Sequence, residues 1–203
     1  MIARAPQPSP KLVLSARLGL ISVPETDRET VAVEAGFDRS LARSILQALG
    51  RSLGMEILPA GQEAFPDQDP GVSAPALDEA VRRTLEKLDV VWMDGEDVVA
   101  GFVVEAKIGG WEGIRRLADL LALHPKLKAP LYAVTMPSLE AGILAEVRRP
   151  AYRLLKKPLS ESLRFLDWER LQTEVEQLGE RVRYLKPEFL DGISDPVDPP
   201  AEA

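Results

Sequence analysis

The stretch from Leu88 to Lys107, LDVVWMDGEDVVAGFVVEAK, leaves a folding chain few choices. Two valine-rich runs flank the turn signal Asp94-Gly95-Glu96-Asp97, so the segment reads as a β-hairpin pairing Asp89–Met93 with Val98–Lys107. Downstream, Ile114, Leu117, Ala118 and Leu121 recur at helical spacing and mark an amphipathic helix ending near His124-Pro125. Leu131 to Met136 has the apolar content of a buried strand. A helix capped by Ser138 must end or kink by Pro150. Arg164 to Leu166 gives a short strand, and Asp167 caps a last helix carrying Trp168, Leu171, Val175, Leu178 and Val182.

Upstream of the hairpin, Asp38 caps a helix with Leu41, Ile45, Leu49 and Leu53 on one side, closed by Gly54. Met55 to Leu58 reads as a short strand, Gly61 to Pro75 as a loop, and Leu77, Val81, Leu85 and Leu88 as a helix leading to Asp89. This order predicts an α/β domain, a central mixed β-sheet flanked by helices, over residues 38–186. Residues 1–37 form an N-terminal extension, Pro-rich at first, with one or two strands expected across Lys11–Val23. The acidic, Pro-rich segment 187–203 is expected to be a disordered tail. No apolar run approaches the ~18 residues of a membrane span, and the N-terminus lacks the shape of a signal peptide. The expectation is a cytoplasmic protein without membrane contact.

Composition narrows the chemistry. The chain has no cysteine and a single histidine, His124. Thiolate zinc sites, iron–sulfur clusters and cysteine nucleophiles are excluded, and a bound metal must be held mainly by carboxylates and carbonyls. Such donors favour Mg²⁺ or Mn²⁺. The net charge is −7, but it is unevenly spread: residues 61–100 hold 10 acidic and 3 basic side chains, whereas 107–157 hold 10 basic and 4 acidic. Arg115, Arg116, Arg148, Arg149, Arg153, Lys156 and Lys157 in that second stretch are candidate DNA phosphate contacts on an otherwise acidic protein.

Within the hairpin, Asp89, Glu105 and Lys107 form a minimal site for phosphodiester hydrolysis. Two carboxylates on adjacent strands can hold a hard cation, and a lysine two residues past the second carboxylate shares its sheet face. Asp89 lies on that face if the hairpin loop has an odd number of residues; an even loop requires a bulge, for which Gly101 is a natural site. Asp followed by Glu-x-Lys recurs by chance, so the triplet alone has little specificity. Other signals are weaker. Gly50-Arg51-Ser52-Leu53-Gly54 fits a nucleophile elbow but closes a helix, and no P-loop is present. Arg39, Arg43 and Arg51 read first as a solvated helix face. Trp92 and Trp111 read as packing residues, Trp111 stacking on a base only if exposed.

The chain resembles the PD-(D/E)XK, or restriction-endonuclease-like, nuclease superfamily, and within it a group of prokaryotic restriction-enzyme-like domains largely without assigned substrates. The resemblance runs through ILQALGRSLG (45–54), FPD (65–67), DEAVRRTLEKLDVVW (78–92), VVAGFVVEAK (98–107), GIRRLADLLALHPKLKAPLYAV (113–134) and RRPAYRLL (148–155), covering about residues 41–166. It implies a restriction-endonuclease-like core, Asp89 and Glu105 as ligands to Mg²⁺, and Lys107 as third catalytic residue. Many superfamily members carry an acidic residue on the first helix facing the metal; here that helix offers Arg39, Arg43 and Gln47, with Glu34 just upstream. The expectation is therefore a DNA nuclease of weak activity, leaning on a partner protein, a second subunit or a particular DNA structure. The alternative is a nuclease-like scaffold that binds DNA or a protein partner without cleaving.

Overall fold

A computed structural model of the chain describes residues 37–58, 79–107 and 109–197. The strands expected in Lys11–Val23, the loop Gly61–Pro75 and Glu34 lie outside the described residues. Six strands form one sheet in sequence order: β1 (Glu56–Leu58), β2 (Val90–Asp94), β3 (Asp97–Glu105), β4 (Leu131–Thr135), β5 (Leu163–Asp167) and β6 (Ser194–Pro196). The β1–β2, β2–β3 and β5–β6 pairs are antiparallel, whereas β3–β4 and β4–β5 are parallel. Parallel neighbours need crossovers, and helices supply them. The first is α3 (Glu112–Leu123). The second is α4 (Pro137–Val147) followed by two single turns, α5 (Pro150–Arg153) and α6 (Leu159–Ser162). Helices α1 (Arg39–Ser52), α2 (Glu79–Leu85) and α7 (Trp168–Leu178) complete the layers. The expected α/β architecture, a mixed sheet flanked by helices, is the one observed. Among the described residues no helix is long and apolar enough to cross a membrane.

Strand alternation sorts the side chains into two cores. Val90, Trp92, Phe102, Val104, Tyr132, Val134 and Leu166 face α1 and α7, while Val91, Met93, Val103, Leu131, Ala133 and Phe165 face α2, α3 and α4. Across the first face runs an aromatic column. Trp92 lies 4.7 Å from Phe102 and Phe102 5.1 Å from Tyr132, centroid to centroid, and Trp92 Nε1 donates to the Leu46 carbonyl of α1 at 3.0 Å. Gly50 is the surface on which this indole rests: a Cβ there would stand 2.5 Å from Trp92 Nε1. Close helix–sheet packing accounts for a glycine that the elbow pattern had picked out.

Two expectations are corrected and one is borne out. Residues 187–197 are no tail but a 3₁₀ turn, Pro187–Gly192, leading into β6. The cause is apolar content hidden among the acids: Leu190, Ile193 and Val197 are buried, and Arg164 fastens the segment by donating to the Ser194 hydroxyl and the Asp191 carbonyl. Helix α4 has Met136 at its N-cap with Pro137 at the first position, so Ser138 does not cap it. Trp111 is the packing residue expected: it is buried against Gly142 of α4, where a Cβ would meet its ring at 2.7 Å.

Candidate active site

The hairpin turn settles which face Asp89 takes. Asp94 pairs with Asp97, leaving the two-residue loop Gly95-Glu96, and Gly95 takes the positive φ of 58° that such a tight turn needs. An even loop would send Asp89 to the wrong face. The register shifts between Trp92 and Met93, however, because Trp92 pairs with Ala100 and Met93 with Val98. Val99 is thus the bulged residue, rather than Gly101, and the extra residue restores the parity. Val90 then pairs with Phe102, and continuing the register sets Asp89 opposite Val103, on the parity of Glu105.

Asp89 stands just before β2, and its side chain extends the ladder that the backbone leaves: Oδ2 accepts the Val104 N–H at 2.8 Å. Its other oxygen, Oδ1, accepts two N–H groups of one guanidinium, Arg39 Nε at 3.1 Å and Nη2 at 2.8 Å. Arg43, one turn further along α1, brings its Nε to 3.9 Å of the same oxygen. Asp38 fixes the start of that helix by accepting the Ser40 and Leu41 N–H groups. The arginine stripe expected to be solvated surface therefore delivers its first two members to the candidate site.

Glu105 ends β3, and both it and Asp89 are buried, at 7% and 5% exposure. Its Oε1 accepts the Ile114 N–H at 3.2 Å, so it serves as a tertiary cap for α3, whose own N-cap, Trp111, contributes no side-chain bond. Burial raises the Glu105 pKa above its ordinary value. The helix N–H groups and the Arg39 charge oppose this shift, and the charge of Asp89 adds to it. The two carboxylates are thus close enough to feel one another, with Arg39 near both. Glu112, in the first turn of α3, also feels the Arg39 charge, although its bond with Arg116 is the main reason its pKa is lowered. Lys107 is exposed in the bend after β3. It makes no hydrogen bond or ion pair with either carboxylate, because the strand, and with it the period-two argument, stops at Glu105.

The candidate ligands of this site, the Asp89 and Glu105 carboxylates, are oxygen donors, as a hard cation requires, but two arginines stand beside the first of them. Among the described residues the Glu105 carboxylate is bonded by backbone N–H groups and by no side chain, so it keeps coordinating capacity although buried. No third Asp, Glu or His among the described residues completes a metal-binding group. The donor set fits one hard ion completed by water, provided that Arg39 yields.

The basic stretch is partly engaged within the protein. Buried Glu146 accepts from Arg149 at 2.9 Å and from the Tyr152 hydroxyl at 3.0 Å, with Arg115 at 3.9 Å. Arg116 donates to the Lys87 carbonyl and pairs with Glu112. Lys157 donates to the Leu127 carbonyl at 2.8 Å. Arg148, Arg153 and Lys156 are exposed. Arg115 follows Ile114, the residue bonded to Glu105, and shares Glu146 with Arg149.

The six-stranded mixed sheet, with antiparallel β2–β3 and parallel β3–β5 carrying an acidic pair at the end of the hairpin, has the form of a restriction-endonuclease-like core. The chain belongs to the family described as type II restriction enzyme NmeDI C-terminal domain, whose model matches residues 22–197 and so spans every residue of this site. No curated protein and no solved structure matches the chain.

Proposed function

We propose that this domain is a metal-dependent DNA nuclease of the PD-(D/E)XK type, with Asp89 and Glu105 as ligands to Mg²⁺ or Mn²⁺ and Lys107 as third catalytic residue. The observation that carries this reading is a pair of buried carboxylates of the same strand parity on neighbouring arms of one hairpin, one of them bonded to backbone alone, in a restriction-enzyme family member. Such an ion supplies an activated water and neutralises charge developing on the phosphate. Asp89 takes one bond from the Val104 N–H besides those from Arg39, and Glu105 takes one from the Ile114 N–H, so each carboxylate has a backbone anchor. Lys107 reaches in on its flexible stem, orienting water or meeting charge on the phosphate. Arg115, Arg116, Arg148, Arg149, Arg153, Lys156 and Lys157 are the proposed DNA contacts.

Cleavage of single-stranded, duplex, flapped and branched DNA with Mg²⁺ or Mn²⁺, comparing the wild type with Glu105→Ala and Lys107→Ala, tests this. Activity lost in both variants with the fold intact supports it, and activity surviving both refutes the site. One observation favours a second reading, a nuclease-like scaffold that binds DNA or protein without cleaving: Arg39 already supplies Asp89 with a cation. DNA binding without cleavage of any substrate would establish that alternative.

A further inference from the structure

A cation already stands at the carboxylates, and it belongs to the chain. Arg39 engages Asp89 Oδ1 through both Nε and Nη2, and its charge reaches Glu105 and Glu112 as well. Yet its side chain is 51% exposed, and it sits in the first turn of α1. Arg43 differs: its side chain is 27% exposed, and its closest nitrogen stays 3.9 Å from the carboxylate. Asp89 is only 4% exposed at its side chain, so whichever cation takes Oδ1 excludes water from it.

From this geometry we infer that Arg39 is a tethered competitor for the metal: it occupies the Asp89 carboxylate in the resting protein and must swing out before a divalent ion can bind there. The inference rests on the reading of Asp89 and Glu105 as metal ligands. The two Arg39 N–H groups take up both lone pairs of Oδ1, and a divalent ion brought to that oxygen would meet the guanidinium charge at contact distance, so metal at Oδ1 competes with the Arg39–Asp89 bond. The apparent metal affinity then falls by the fraction of molecules in which the latch is open. A latch closed in about nine of ten molecules weakens binding about tenfold. An acidic side chain in this place would add a ligand, whereas the arginine subtracts one. The domain is thereby kept from taking up metal until something else attracts the guanidinium.

Calorimetric titration of the whole chain with Mn²⁺, comparing wild type, Arg39→Lys and Arg39→Gln, is the test. Arg39→Gln should bind about tenfold tighter or more, with Arg39→Lys between, since lysine keeps the charge but loses the two-pronged grip. Equal or weaker binding by Arg39→Gln overturns the inference while leaving the metal site standing. Absence of Mn²⁺ binding in all three proteins overturns the site itself, and the inference with it. Removing Arg39 leaves a buried carboxylate without its partner, so a wild-type measurement stands beside the variants. The Arg39 Nε–H signal in ¹⁵N NMR should be protected from solvent exchange without metal and lose that protection at saturating Mg²⁺. Protection that survives saturation overturns the inference even if Arg39→Gln does not fold.

Discussion

Gly113→Ala is the substitution most diagnostic of how Glu105 is placed. A methyl built on Gly113 would stand 2.7 Å from Glu105 Oε1 and 2.7 Å from Val103 Cβ. Ordinary carbon–carbon contact lies at about 3.5–4.0 Å, so roughly 1 Å must open between the start of α3 and β3. The carboxylate can retreat by rotating, but Val103 Cβ is fixed to the strand, so part of the shift falls on the backbone. Overpacking of this kind costs about 1–3 kcal/mol. At roughly 2–4 °C per kcal/mol for a domain of this size, a mid-range loss lowers Tm by about 4–8 °C. The same displacement pulls Glu105 from the Ile114 N–H, so Mn²⁺ affinity should fall together with Tm. Gly110→Ala is the control: nothing lies within 4 Å of a Cβ there, and its effect should stay within about 0.5 kcal/mol. Thermal unfolding and Mn²⁺ calorimetry on both variants decide the matter. Wild-type Tm and metal affinity in Gly113→Ala would refute the packing of Glu105 beneath α3.

Trp92→Phe should lower stability by about 1–3 kcal/mol in denaturant unfolding, since it removes the indole bond to the Leu46 carbonyl and thins the aromatic column. Glu105→Gln should raise the Tm of the metal-free protein at pH 7. Burial raises the Glu105 pKa, so the native state binds the proton more tightly, and the stability this gives is present in full below the ordinary value of 4.5 and lost as pH rises through the folded value. The gain in Glu105→Gln should therefore vanish on acidification below about 4.5, and a pH-independent gain would discredit the electrostatic origin. Replacing Arg148, Arg149 and Arg153 by Ala should weaken DNA binding similarly across sequences. Its log–log salt dependence should flatten by about 0.9 for each phosphate that these arginines no longer neutralise. An unchanged slope would make the cluster ordinary surface.

The fold was legible where apolar spacing decides it. Leu41, Ile45 and Leu49 announced α1, and Ile114, Leu117 and Leu121 announced α3, because one face of each helix must be dry. Strand β6 was hidden for the opposite reason: its segment is rich in acids and prolines, and a few apolar anchors, buried Leu190, Ile193 and Val197 with half-buried Phe189, tie it down. Composition averages such anchors away. The bulge was half legible. Parity required one for an even loop, yet the sequence pointed to Gly101, whereas the extra residue is Val99. Gly101 has another duty, since a Cβ there would meet Leu131 at 3.0 Å across the β3–β4 pairing.

The candidate site was legible in its acids and illegible in its cations. A carboxylate after Val103-Val104 must be buried, and a buried carboxylate must find partners, so Glu105 was conspicuous. Arginines spaced four apart on a helix are conspicuous in no such way, because solvent satisfies them equally well. Their role depends on where the start of α1 falls relative to β2, a long-range relation that helical periodicity does not encode. The one available signal was an absence: a first helix offering arginine where related nucleases offer an acid. The structure gives that absence a physical form, for the guanidinium that replaces the acid binds the remaining carboxylate. An arginine here supplies no carboxylate oxygen and gives Asp89 a cationic partner from within the chain. On the proposed reading of Asp89 as a metal ligand, cleavage would turn on the competition between Arg39 and a divalent ion for one oxygen of Asp89.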